Sequence, residues 1–279
     1  MTGPELQIET TTDWRGSWRE FPWWLVAIIA FLVMMAYLII TTPNFNEAFN
    51  FIRGGLQVFN EEGQLEIVAT GLSMTLQVTL LAFAIALVLG LLAGLGRISH
   101  NIVIRNIAVT YIEFIRGVPT LVLIFTLAFV IVPAVSDALG IENSLEQHWR
   151  AIVALAVIYG AFLAEIFRAG IESIPPGQME AARSLGMTYS QAMRHIILPQ
   201  AIRNISPALG NDFIAMLKDS SLVSVLAVRD LTQMARLYAG STFRFRESYL
   251  VLTFFYLTLT IILSLFLRWY ERRLGKQGS

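Results

Sequence analysis

The sequence contains no cysteine, which excludes disulfide frameworks, Cys-ligated zinc and thiol catalysis. Histidine is nearly absent as well. His100, His148 and His195 are too few and too scattered to build a haem or metal centre. Charge is scarce: 14% of the residues are Asp, Glu, Lys or Arg, against about 25% in ordinary soluble domains. The 20 basic and 20 acidic residues cancel, so there is no cationic surplus for binding nucleic acid. Disorder is excluded too, because it requires low hydropathy and high net charge. A phosphate-binding G-x(4)-G-K-[ST] loop is missing, since neither Lys218 nor Lys276 follows a glycine-rich approach. A membrane enzyme would need a nucleophile–base or metal constellation, and none is visible.

What is present is apolar. Hydrophobic residues make up 56% of the 279, and the mean hydropathy is +0.63. A helix crossing the hydrocarbon core needs about 20 apolar residues. Six stretches qualify: Trp23–Ile40, about Ile67 to Leu95, about Ile107 to Val132, Ala151 to Phe167, about Ile202 to Val228, and Tyr249–Trp269. The fifth is the least apolar, because Asn211, Asp212, Lys218 and Asp219 sit inside it. The first exceeds a signal-peptide core in length and is followed by Thr41-Thr42-Pro43-Asn44, not by a small-x-small cleavage site. It reads as a retained anchor; cleavage would leave five spans. Lysines and arginines near the span ends split 12 to 6 in favour of both termini inside, with a contrary outside cluster at Arg236–Arg246 that could mark a docking surface. The expected fold is all-α and polytopic, with about six transmembrane helices. Residues 1–22 form a cytoplasmic segment, 23–65 the first helix and an external loop, 66–273 the main transmembrane domain, and 274–279 a tail. The stretch from Asn44 to Glu66 reads equally well as an ordered hairpin or a loose loop.

The most informative segment is the inside loop at about 172–200. Pro175 and Pro176 suit the start of a helix, where a missing N–H costs nothing. Glu180, Ala181, Ala182 and Arg183 are good helix formers, and Gly186 can close the helix in the left-handed conformation. Thr188 and Gln191 have capping-box spacing for a second helix, which is expected to bury Tyr189, Met193, Ile196 and Ile197 on one face. Ala181 and Ala182 leave room for another surface to approach. Pro199 marks a boundary, ending this helix or opening the next.

The pattern E-A-A-x(3)-G-x(9)-I-x-L-P, met by Glu180, Ala181, Ala182, Gly186, Ile196, Leu198 and Pro199, resembles the EAA loop of binding-protein-dependent ABC-importer permeases. EFIRGVPTLV, AEIFRAGIESIPPGQMEAARSLG, IILPQAIRNISPALGN and KDSSLVSVLAVRDL are similar to the polar amino acid branch. The resemblance runs from roughly Gly71 to Arg273 and leaves out the first span. It implies a non-catalytic membrane subunit that carries an amino acid inward across the bacterial inner membrane. It implies a second permease subunit, identical or paralogous, and a cytoplasmic ATPase dimer that holds ATP and Mg and grips those seven residues. It also implies an external solute-binding protein. The branch suggests glutamate, glutamine, aspartate, arginine, histidine or cystine, with a lean to a broad or acidic/amide class.

Charges inside spans are costly and are normally paired or functional. Glu113 with Arg116, and Glu165 with Arg168, are spaced i, i+3 and read as structural ion pairs near the inner boundary. Asn211, Lys218 and Ser221 fall on roughly one helical face. Lys218 with Asn211 could bind a carboxylate, and Asp212 or Asp219 an ammonium; equally, Lys218 and Asp219 could stabilise an outer loop or gate. Thr75 and Gln77 are candidates to line the same path, or to bridge helices. Gly90 and Gly94 read as a close-packing face. The alternative reading is a stand-alone channel or secondary carrier, which should carry internal repeats with paired broken helices; no such halves are visible.

Overall fold

A computed structural model describes residues 23–59, 65–140 and 145–275. The expected cytoplasmic segment 1–22 and residues 276–279 of the expected tail lie outside the described residues. Helix α1 (Trp23–Thr41) leads into the short α2 (Pro43–Arg53), then a two-stranded antiparallel hairpin of β1 (Leu56–Phe59) and β2 (Leu65–Ala69). Next come α3 (Leu72–Arg97), α4 (Ile102–Gly117), α5 (Thr120–Ala138) and α6 (Gln147–Glu172). The chain continues with α7 (Pro176–Ser184) and α8 (Tyr189–Ala192), which runs through a π turn, Met193–Ile197, into α9 (Leu198–Asp219). A 3-10 turn (Ser220–Leu226), α10 (Leu231–Thr242) and α11 (Phe245–Gly275) complete it.

Five of these helices, α1, α3, α5, α6 and α11, are long and apolar enough to cross a membrane. Three features depart from the sequence-based expectations. The expected single span from Ile107 to Val132 is two helices. Pro119 offers no N–H, and the residue before it, Val118, is extended (φ −116, ψ 138), so α4 stops and α5 restarts. The expected span from Ile202 to Val228 is α9 plus the 3-10 turn, and it is not among the five apolar helices. α9 packs along α6 and α11, so its polar residues need not face lipid. Finally, the second expected span, from about Ile67, begins late: Ile67 lies in β2, which straddles the expected 65/66 boundary, and α3 starts at Leu72, while the stretch before it takes the ordered-hairpin form of its two expected readings, with α2 added. Apart from that hairpin the described chain is helical.

The core is the seam between α3 and α6. A Cβ on Gly90 would lie 2.7 Å from the Leu163 Cβ, and one on Gly94 would lie 2.9 Å from the Ala164 carbonyl oxygen. The two backbones approach so closely that only hydrogen fits between them. Around this seam Val78, Ala82, Ala86, Ile152, Leu155 and Ile158 are fully buried.

A second cluster sits at one end of the bundle. α2 is amphipathic and buries Phe45, Ala48 and Ile52 against Met35 and Ile39 of α1, Leu231, Ala235 and Tyr238 of α10, and Val251 and Phe255 of α11. Phe49 stacks on Phe255 at 4.8 Å, and Arg244 bonds Glu47 at 2.7 Å. This end is tied to α3 by backbone: Gly71 N–H donates to the Arg229 carbonyl at 2.7 Å.

Asp230, fully buried, caps α10 by accepting from the Thr232 and Gln233 amides at 3.2 and 2.9 Å. Burial lifts its carboxyl pKa from 3.8 to about 6, with those N–H bonds pulling the other way. The folded protein therefore holds a proton that the unfolded chain releases between those two values. Stability must fall as pH rises through that window, by on the order of 3 kcal/mol in all, and stay flat above it. Asp230→Asn keeps an acceptor at the cap and removes the titration. Thermal midpoints in detergent from pH 4 to 7 should decline for the parent and not for the variant.

Candidate functional site

The loop between α6 and α9 folds as an elbow. α7 starts with Pro176 in its first turn. It closes at Gly186, whose φ of +84 is a conformation that side chains disfavour. Met187 N–H returns to the Ala182 carbonyl at 3.2 Å across that turn. Thr188 and Gln191 form a reciprocal capping box, with bonds of 2.9 and 3.3 Å. Met193 and Ile197 then insert among Ile171, Ile174 and Ala201, with Ile196 and Leu198 partly buried alongside.

This packing sorts the seven motif residues into two groups. Glu180, Ala181, Gly186 and Pro199 are exposed. Ala182 is 4% exposed and faces its own chain, so the room for an approaching surface lies over Ala181 and not over both alanines. Ile196 and Leu198 also turn inward and anchor the elbow. Tyr189, expected to be buried, is 39% exposed: it stands at the first residue of α8, on the rim of the cluster, with its ring edge-to-face to His100 at 5.9 Å. Leu185 is 81% exposed, an apolar side chain at the tip that sequence reasoning passed over. Of its two expected roles Pro199 takes the second, standing in the first turn of α9. Its ring would crowd the carbonyl four residues back, at His195, and the π turn widens the helix there. α8 and α9 thus form one unbroken rod from the elbow into the bundle.

Just inside the elbow end lies an ion network centred on Glu165. Arg97, at the end of α3, bonds Glu165 directly. Arg168 bonds it at 3.0 Å and also reaches Glu172. Arg116, at the end of α4, stands 4.0 Å away. Glu113 bonds Arg97 at 3.3 Å. The expected Glu113–Arg116 pair is not among the ion pairs of the described residues: both groups reach across helices, where the less exposed Glu165 draws the cations together. Arg97 and Glu172 were missed as partners because sequence spacing pairs residues only within a helix.

Beside this network, about halfway along α6, is a cleft of about 320 Å³ lined by Arg116, Tyr159, Glu165 and Asp212 together with Phe162 and Ile166. The Tyr159 hydroxyl donates to Asp219 at 2.9 Å. Asp212 and Asp219, seven residues apart, share the face of α9 turned to α6, a spacing visible in the sequence beforehand. Asn211 and Lys218 lie on an exposed face, and Ser221 is half-buried. Thr75 does not line the cleft. It is fully buried at the far end, where its hydroxyl donates to the Gly71 carbonyl and accepts from the Leu231 amide at 3.1 and 3.0 Å. Gln77 is half-buried on α3, outside the cleft. Among the described residues no group of acidic and His side chains could hold a metal ion.

Five helices long and apolar enough to cross a membrane, with a charged cleft among them and an elbow docked on two helices of the bundle, are the build of a polytopic membrane protein. Residues 86–276 match the binding-protein-dependent transport system inner membrane component, and the chain belongs to that family. It is 41% identical over 209 residues to the probable glutamine ABC transporter permease protein GlnM of Bacillus subtilis, covering 74% of this chain and 92% of that one. To the glutamine transport system permease protein GlnP of Escherichia coli it is 35% identical over 210 residues, covering 75% and 94%. A crystal structure of an amino acid ABC transporter with histidines superposes with a TM-score of 0.64 at 42% identity, over 73% of this chain and 92% of that one. α1, α2 and the hairpin precede the residues that match the family.

Glu165→Gln would leave three guanidinium groups around a neutral amide, at a cost of about 1–3 kcal/mol. Glu113→Gln and Glu172→Gln change more exposed carboxylates and should each cost under about 1 kcal/mol. Thermal midpoints of the three variants in one detergent test this ranking; equal shifts would contradict the hub.

Proposed function

We propose that the chain is the membrane subunit of an ATP-driven importer of polar amino acids, with both termini in the cytoplasm of a bacterial cell. It pairs with a second permease subunit and rests on two cytoplasmic ATPases that carry the ATP and Mg. It receives its amino acid from an external solute-binding protein. The observation that carries this reading is the two-faced elbow. Glu180, Ala181 and Leu185 are open to a partner, while Ala182, Met193 and Ile197 lock the same elbow onto the ends of α6 and α9. A load applied to the open face passes to the bundle as rigid-body motion. Inside, the cleft offers Arg116 for a carboxylate and Asp212 for an ammonium, as a zwitterion requires. The named substrates of the relatives, glutamine, arginine and cystine, support a broad polar class that includes the amide.

The purified chain alone should hydrolyse no ATP. Reconstituted with its ATPase and binding protein in proteoliposomes, it should take up amino acid only with ATP inside. Leu185→Asp, at an exposed position, should leave the thermal midpoint unchanged and cut coupled uptake at least tenfold. Uptake driven by an ion gradient without any ATPase would instead establish a secondary carrier.

A further inference from the structure

A second polar cavity, of about 440 Å³, lies at the end of the bundle opposite the elbow. α6 fixes the distance: it runs 26 residues, about 39 Å, from this cavity to the elbow. One wall is the start of α6 with the residue before it, presenting Glu146, His148 and Arg150. The facing wall is Ala227, Val228 and Arg229, just past the end of α9 and its 3-10 turn. The floor includes Met74 of α3. The two walls hang on the two helices that the elbow joins.

Its charges are unspent. The Arg229 side chain is exposed and has no hydrogen-bond or ion partner among the described residues. Arg150 donates its Nε to the Leu145 carbonyl at 2.7 Å, and its terminal nitrogens have no partner among the described residues. Glu146 holds the His148 Nδ1 at 3.0 Å while 73% of its side chain stays exposed. Two guanidinium groups and one carboxylate thus face a volume in the range of small-molecule sites. The Glu165 cleft is a separate space and shares no lining residue with it.

We propose that this cavity is a low-affinity receiving site for free α-amino acids at the outer mouth. Arg229 and Arg150 take the α-carboxylate and Glu146 takes the α-ammonium. The inference rests on the amino acid importer reading and adds a position where substrate pauses before it reaches the cleft. Recognition is directed at the groups every amino acid shares, so the side chain is read only weakly.

The test is equilibrium binding of radiolabelled L-glutamine to the permease–ATPase complex in nanodiscs, without binding protein or nucleotide. Saturable binding should appear in the millimolar range. The α-deaminated analogue should compete at least tenfold less well. Arg229→Met and Glu146→Gln should each weaken binding tenfold or more. Arg229 engages Gly71 through its backbone carbonyl, so the first variant keeps its fold, and an unchanged thermal midpoint checks both. No saturable binding, or binding that survives both substitutions, overturns the receiving site. Either result leaves the importer reading standing if ATP-driven uptake persists in proteoliposomes; loss of uptake for every amino acid offered to the unmodified complex would sink that reading instead.

Discussion

A carboxylate within a lipid-facing bundle has to be neutralised, and Glu165 meets that constraint by collecting cations from three helices. Arg97 ends α3, Arg116 ends α4 and Arg168 belongs to α6 itself. An unpaired charge at this depth would be far more costly than any single apolar contact is worth, so the helix ends cannot separate independently. The glycine seam sets how close α3 and α6 come; the network sets where along their length they stop. Together they make a fixed frame just above the elbow.

Against that frame stands the rod of α8 and α9, packed between α6 and α11. It contacts α6 through Asp219 against Tyr159 and through Ile205 and Ala201 packed on Gly170, and it contacts α3 through Phe213 against Phe83 at 5.0 Å. The elbow residues that anchor the rod differ from those left open at its tip, so gripping and holding are separate tasks of one short motif. At its other end the rod tightens into a 3-10 turn and stops at Ala227, a non-glycine residue in the left-handed region.

Much of this was legible in the sequence because the signals were local. The capping box at Thr188 and Gln191, the close of α7 at Gly186 and the packing face at Gly90 and Gly94 each need only a few neighbouring residues. The strongest apolar runs place α1 to within one residue and α3 and α11 to within six. What failed was non-local. Hydropathy merged α4 with α5, because the apolar character runs straight through Val118 and only the missing N–H of Pro119 breaks it. Spacing paired Glu113 with Arg116, because it sees one helix at a time and cannot weigh a partner from another. Of the two readings of Thr75, path lining or a bridge between helices, the structure bears out the bridge, because its hydroxyl joins α3 to the start of α10 across 156 residues that no local pattern spans. The polar residues of α9 split between two faces, with Asn211 and Lys218 on the exposed one and Asp212 and Asp219, both candidates from the start, half-buried on the one turned to α6.

The π turn at Met193–Ile197 has a consequence for what the chain can tolerate. A residue too many in a turn is absorbed by widening that turn, so the helix beyond it keeps nearly its phase. Trimming a single residue there would close the turn to an ordinary one and leave both α9 aspartates facing α6, yet bring the Pro199 ring back against the carbonyl four residues before it. In that stretch spelling is negotiable and length is not.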